Sequence, residues 1–594
     1  MVADSSKVPF HLESPKDTPR LEGRYYPDNK PWDQYRDVKV IVVGLGISGI
    51  STAVLLSHKV PNAKITAYEK FSKVGGTWAA NVYPGVRCDV PSHVYQLSFE
   101  TNPNWSEYYP KGAEIQQYYE RVLEKHSLTE NVKTEHQVVR ATWLKDASKW
   151  AVEVRELQSG NVFVDTADFL VNAQGRISDP NYPDIPGLRD IYQGPVIHTA
   201  RWPSELDISG KKVAIIGNGA SGQQLLPNIA PVVEKIYHYV RNKTWVTPTF
   251  VRDLHQATKD APGGPVYSEE QQARFREDPS VLLEHRRELE SKFHHPPGGD
   301  RLGSEKNNAL RERIIEVMRE RLDGDEEWLQ RVLPDYAPGC KRLTPAPGYL
   351  ETVKSDKVEY ITEGIKCFTP TGILAADGTE RELDIVILAT GFEPSFNSRF
   401  PVIGTDGTDL RDKWSIDGPI GYPETYLGIM APGYPNYFFV LQAQGNARGG
   451  SVPLQTELSA TYIARAIRKV QSQSYSSLDP KEDAAQEFND ICAAAFENSV
   501  LTDKCNSWFK QGKGATRVVI SWPGTFHHRA QALREPRWED FDFARRHGAE
   551  KNRFEYFGNG STAFESGGNP EDLIRYVIDS SKVDIATLHE TWTE

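Results

Sequence analysis

The chain has 594 residues, too many for one hydrophobic core, with 39% hydrophobic residues and a formal net charge of −12. That acidic balance argues against a nucleic-acid partner, because a phosphate-binding face has to be basic. The five cysteines, Cys88, Cys340, Cys367, Cys492 and Cys505, are scattered without CxxC spacing, so no disulfide framework, dithiol redox pair or metal site is expected.

In chain order, residues 1–36 read as an extended arm rich in Pro, Asp and Tyr. The arm has no signal-peptide core, which makes the cytoplasm the expected location. The run "VIVVGLGISGISTAVLL", Val40 to Leu56, is apolar enough to suggest a membrane helix. Three glycines at turn spacing and a change from β-branched to helix-forming residues predict strand, turn and helix instead, with no membrane association. Gly44, Gly46 and Gly49 form G-x-G-x-x-G directly after the strand. The first glycine makes the turn, the second lets a pyrophosphate approach the backbone, and the third packs helix on strand. The next strand, in "AKITAYEK", ends at Glu69, twenty-five residues after Gly44. A carboxylate there accepts hydrogen bonds from ribose hydroxyls and repels a 2′-phosphate, which predicts FAD or NAD and not NADP. The alternative is a solvated strand end.

A second unit starts at "KKVAIIGNGASGQQLL", Lys211 to Leu226, with Gly217, Gly219 and Gly222 at the same spacing. Its next strand ends in "YVRNKTW", where Arg241 and Lys243 favour a 2′-phosphate and therefore NADPH; two surface cations are the alternative. Ser221, Gln223 and Gln224 open the following helix, whose free N–H groups favour phosphate. From about 253 to 333 the chain turns charged and helical, as in "ALRERIIEVMRERL". Strand character returns at "KVEYITEGIKCF" and "ELDIVILATGFE", and the polar end has a short helix near "PEDLIRYVI".

The expected fold is α/β: two Rossmann-like dinucleotide-binding domains, for FAD and NADP, with a helical insertion in the NADP domain. The expected division is an arm over 1–36, an FAD-binding domain over 37–190 and 381–545, and an NADP-binding domain over 191–252 and 334–380. The insertion spans 253–333 and a C-terminal tail 546–594. FAD with NADPH serves dithiol reductases, which need a cysteine pair, and flavin monooxygenases.

The stretch "GGTWAANVYPGVRCD", Gly75 to Asp89, resembles the longer signature of type I Baeyer–Villiger monooxygenases through Trp78, Tyr83, Pro84, Gly85 and Asp89. "YQGPVIHTARWP", residues 192–203, resembles that family's second signature: Gly194, His198, Thr199, Trp202 and Pro203 match, and Tyr192 replaces a phenylalanine. "PGCKRLTPAPGYLE", "ILATGF", "YLGIMAPGYPN" and "CNSWFKQGK" extend the likeness over most of residues 37–545, while "LQAQGNARGG" is less typical.

The resemblance implies reduction of FAD by NADPH, a C4a-peroxyflavin formed with O₂, and attack on a small-molecule ketone. A Criegee adduct then gives an ester or lactone. N- or S-oxygenation by a flavin-containing monooxygenase is the alternative. By resemblance Arg342 is the active-site cation, and Asp89 orients it. Lys341 contacts the nicotinamide nucleotide, Thr77, Trp78 and Tyr95 line FAD, and Val138 offers backbone groups to adenine. Arg87 and Cys88 adjoin Asp89 on the NADP side, and Trp508 lies in a loop that closes over NADP. His198 has no partner carboxylate in sequence, and no step demands an imidazole, so it is expected in a joint between the domains.

Overall fold

The computed structural model describes residues 30–248 apart from 33, 265–293, 299–393, 395–511, 516–546 and 552–563, with a few positions beyond. Most of the N-terminal arm, parts of the insertion and most of the segment "PEDLIRYVI", where a helix is expected, lie outside the described residues.

The first sheet grows from the apolar run. Strand β1 (Val38–Val43) is buried almost throughout, as a strand covered on both faces must be. Helix α1 (Ile47–Lys59) follows the glycine turn and β2 (Ala63–Tyr68) returns beside β1. After helices α2 (Thr77–Ala80) and α3 (Gly112–Lys125) comes β3 (Val132–Lys133). A β-meander of β4 (His136–Leu144), β5 (Lys149–Glu156) and β6 (Val162–Ala167) precedes β7 (Phe169–Asn172). The completed sheet is parallel, in the order Tyr437–Phe439, β7, β1, β2, β3.

The second sheet uses β8 (Val196–His198), β9 (Lys212–Ile216), helix α4 (Ala220–Ile229), β10 (Lys235–Tyr239) and β11 (Val358–Ile361). Its fifth strand is Ile385–Leu388, inserted between β9 and β8, and all pairings are parallel. The boundary expected at 381 is therefore one strand too early. "DIVILATG" reads like any buried strand, and only its pairing with β9 and β8 shows which sheet owns it. Between β10 and β11, helices Glu269–Glu277, Pro279–Phe293, Glu305–Arg321 and Glu326–Val332 form the expected insertion.

The cysteines overturn an expectation. Cys340 and Cys505 form a disulfide, with Cα atoms 6.2 Å apart and a sequence separation of 165. Spacing rules detect only local pairs, whereas this one is brought together by the fold. Cys88, Cys367 and Cys492 are free.

Candidate active site

The two glycine turns have the same local cause. Gly44 adopts φ +92°, and a Cβ on Gly49 would stand 1.9 Å from the Gly44 carbonyl oxygen, so helix and strand meet only if both lack side chains. In the second unit Gly217 adopts φ +113°, and a Cβ on Gly222 would reach the Gly217 oxygen at 2.4 Å. Gly219 faces open space, which leaves its backbone approachable.

Above the first turn lies a cleft open to solvent. Gly44, Gly46, Glu69, Thr77, Trp78, Tyr95 and Val138 all line it, so residues spread over ninety-five positions converge on one space. Glu69 is 4% exposed, which rules out the solvated strand end. Its carboxylate accepts from the backbone N–H groups of Leu45 (2.7 Å) and Phe71 (3.0 Å). Burial raises its pKa, and those two N–H groups oppose the rise. A carboxylate has more acceptor positions than these N–H groups use, which suits a ribose hydroxyl. Trp78 Nε1 donates to the Tyr95 hydroxyl at 3.2 Å with the rings edge to face, fixing both aromatics in the wall. These features fit a dinucleotide such as FAD.

The segment 83–89 leaves the first unit and packs on α4 of the second. The Tyr83 hydroxyl donates to Gln224 Oε1 (2.8 Å), and Gln224 Nε2 donates to the Arg87 carbonyl (3.0 Å). Gly85, at φ +85°, lies so close that a Cβ would stand 2.2 Å from Asn228 Nδ2. Thr344 donates to the buried Gln223 Oε1 at 2.8 Å. Gln224 thus ties the two units together through its side chain, Gln223 holds Thr344 within the second unit, and only their backbone positions suit the expected phosphate role. Ser221 sits in the first turn of α4, half-buried.

This junction delivers Asp89 to Arg342, and the two form an ion pair. Asp89 is the main cause of a raised Arg342 pKa, with burial opposing it. The Arg342 side chain remains 52% exposed, leaving donors for another anion. The Arg87 guanidinium pairs with Glu107 at 2.8 Å, both side chains mostly buried. Cys88 is buried, and burial followed by the Asp89 charge pushes its thiol well up, so it is no thiolate nucleophile.

At the second unit, burial lowers the Lys341 pKa, helped by the nearby charges of Arg241 and then Lys510. Three cations therefore gather near one place, and Lys510 is one that sequence reasoning missed, although it lies in "CNSWFKQGK". Lys243 turns away, donating to the Gln330 carbonyl at 3.1 Å. Trp508 is 39% exposed, its ring centroid 6.2 Å from that of Phe396. The guanidinium of Arg176 lies 4.7 Å from the Phe396 ring and 5.3 Å from the Trp508 ring. Burial lowers the Arg176 pKa to about 10. Nothing in "AQGRIS" marks Arg176 as special, because its aromatic neighbours come from distant loops.

The second signature is an edge strand and a turn. His198 pairs with Leu388 at the edge of the second sheet, and its Nδ1 accepts from the Ala200 N–H at 3.1 Å. Its ring is 2% exposed, between Tyr182 and Phe392, and burial lowers its pKa to about 4. Thr199 is buried, Trp202 half-buried and Pro203 exposed. Tyr192 folds over Gly194, where a Cβ would stand 2.3 Å from the Tyr192 hydroxyl. That hydroxyl donates to the Leu383 carbonyl at 3.3 Å, giving the added oxygen a partner. The segment joins the second sheet through its pairing with Val386–Leu388, and Arg201 ties it to the Ser178 carbonyl at 3.2 Å. Among the described residues no group of His, Cys, Asp and Glu could hold a metal, and no helix is long and apolar enough to cross a membrane.

Two glycine-turn units, a lined cleft in the first and an arginine–carboxylate pair at their junction define a two-dinucleotide oxidoreductase. Residues 42–111 match the NAD(P)-binding Rossmann-like domain family. The FAD-binding monooxygenase moxY of Dothistroma septosporum is 35% identical over 94% of this chain and 88% of its own. A Baeyer–Villiger monooxygenase of Pseudomonas aeruginosa is 32% identical over 84% of this chain and 90% of its own. Among solved structures, oxidized steroid monooxygenase bound to NADP is 27% identical, with a TM-score of 0.72 over 86% of this chain and 100% of that one. The OTEMO complex with FAD and NADP is 25% identical, with a TM-score of 0.71 over the same shares. The chain belongs to the flavin-dependent monooxygenases of the Baeyer–Villiger type.

Proposed function

We propose that this chain binds FAD in the first unit and NADPH in the second, and inserts one oxygen atom of O₂ beside the carbonyl of a small-molecule ketone, giving an ester or lactone. The observation that carries the reading is the Arg342–Asp89 ion pair at the junction of the two units. Bound FAD supplies the redox chemistry that links NADPH oxidation to O₂.

The chain's own residues do the rest. Gly44, Gly46, Glu69, Thr77, Trp78, Tyr95 and Val138 hold the flavin nucleotide. Arg241 and Lys341, with Lys510 beside them, meet the 2′-phosphate of NADPH. Arg342 presents a permanent cation to the negative charge that builds on oxygen as the carbonyl becomes tetrahedral, and Asp89 keeps its fork aimed. His198 stays neutral at working pH, which suits a positioning role for its strand. The flavin domain combines residues 37–190 with about 390–545, and the protein works in the cytoplasm.

The test is a panel of linear, cyclic and aromatic ketones supplied with NADPH and O₂, the products weighed by mass spectrometry. Ester or lactone with a mass gain of one oxygen supports the assignment. Conversion of sulfides or amines alone would favour N- or S-oxygenation.

A further inference from the structure

We propose that the Cys340–Cys505 disulfide is a latch between the loop of Lys341 and Arg342 and the loop of Trp508. Opening it with a dithiol reductant weakens nucleotide binding and uncouples NADPH oxidation from oxygen insertion. This rests on the reading of Lys341 and Trp508 as nucleotide-side residues.

The bond joins distant parts of the chain at a sensitive place. Cys340 directly precedes Lys341 and Arg342, and Cys505 lies three residues before Trp508. Both sulfur-bearing residues are buried in the core of the second unit, at 0% and 4% exposure. Among the described residues, few other polar links join the loops. The Ala337 N–H donates to Asp503 Oδ2 at 2.6 Å. Lys504 pairs with Asp335 at 2.8 Å, but those side chains are 61% and 82% exposed, so solvent screens the pair to little value. Lys510 Nζ donates to the carbonyls of Asp503 (2.7 Å) and Cys505 (2.9 Å), which stiffens the second loop internally without tying it to the first.

The covalent bond is therefore the strongest tie between the two loops. Beyond it, Trp508 reaches across to Arg176 and Phe396. A loop already ordered by a covalent tie charges the incoming nucleotide less conformational entropy. Without the bond, the nucleotide has to order the Trp508 loop as it binds. The chemistry is ordinary thiol–disulfide exchange. One thiolate of the dithiol attacks a sulfur, the second resolves the mixed disulfide, and two electrons and two protons end on Cys340 and Cys505 as thiols. The reductant leaves as its own disulfide.

The experiment uses FAD-loaded enzyme. Denatured without reductant, it should show three titratable thiols, those of Cys88, Cys367 and Cys492, and five after reduction. Five before reduction overturns the latch. NADP⁺ is then titrated against the flavin spectrum of wild type before and after dithiol treatment, and of Cys505→Ser. Opening the bond should weaken NADP⁺ about tenfold and raise hydrogen peroxide released per NADPH, with FAD content unchanged. Unchanged affinity and peroxide yield in reduced wild type overturns the proposal, whether or not Cys505→Ser folds. Dithiol should have no further effect on Cys505→Ser, and an equal effect there places the cause elsewhere. A Trp508→Ala control separates the two readings. Weak NADP⁺ binding in Trp508→Ala beside normal binding in Cys505→Ser rejects the latch alone. Normal binding in Trp508→Ala rejects the nucleotide-side reading beneath it.

Discussion

Arg342 and Asp89 form an ion pair although 253 residues separate them, one from the loop after the helical insertion and the other from the loop that leaves the first glycine unit. The pair is asymmetric: the carboxylate is largely covered at 11% exposure, and the guanidinium keeps an open side.

That asymmetry predicts how the two residues fail. Arg342→Ala should bind FAD and accept electrons from NADPH, yet lose ester formation by about 10²–10³-fold, the usual cost of removing one preorganised charge. Stopped-flow reduction and product analysis on the same preparation separate the half-reactions. Normal turnover would remove Arg342 from the catalytic assignment. Asp89→Asn keeps the shape and loses the charge, so its defect should be the smaller one.

The basic cluster governs the choice of nucleotide. Arg241→Ala should raise the KM for NADPH by about tenfold or more while changing the KM for NADH little, because only the phosphorylated nucleotide loses a charge-assisted hydrogen bond. Equal effects on both nucleotides would mean that Arg241 serves the fold.

His198→Ala should keep FAD bound, release more hydrogen peroxide per NADPH and turn over slowly. The ring holds the Ala200 N–H at the edge of the second sheet, and no chemical step depends on its proton. Loss of FAD on purification would contradict a role confined to the second unit's edge.

Buried histidines set an acid limit on stability. Burial lowers His93 to about 3, His198 to about 4 and His238 to about 4. The unfolded chain takes up these protons below about pH 6.5, whereas the folded chain refuses them until far lower pH. Their stabilisation is thus complete above pH 6.5 and lost as pH falls toward 4, at up to about 1.4 kcal/mol per pH unit for each ring. His238→Gln removes one such ring, so its thermal midpoint should fall less than that of wild type between pH 7 and 5. Parallel pH curves would refute this.

Gly85→Ala should destabilise the junction of the two units. The backbone at φ +85° costs a side chain about 1–2 kcal/mol, and the new Cβ also collides with Asn228. Asn228 has little room to yield, since its Nδ2 donates to the Gln224 carbonyl. A thermal midpoint unchanged from wild type would show that the junction is looser than its packing implies.

What the sequence discloses is what local spacing encodes. The first glycine turn and Glu69 are written within twenty-five residues of one another, the second turn repeats the glycine spacing, and Arg342 and Asp89 each sit in a short signature. The remainder depends on meetings that spacing does not record. Cys340 finds Cys505, Arg87 finds Glu107, Lys243 finds Gln330, and Arg176 finds Trp508. Strand Ile385–Leu388 is equally ambiguous, since a fully buried parallel strand carries no alternation to tell its sheet.

The packing of residues 83–89 against α4 bears on how relatives of this chain can be recombined. These seven residues belong by connectivity to the first unit and by packing to the second, through the Tyr83 hydroxyl, the Gly85 backbone and the Arg87 carbonyl against Gln224 and Asn228. A chimera that exchanges the second unit at its sequence boundaries would leave its new α4 facing a foreign loop. The natural module for exchange is the second unit together with this short excursion, a block continuous in space and broken in sequence.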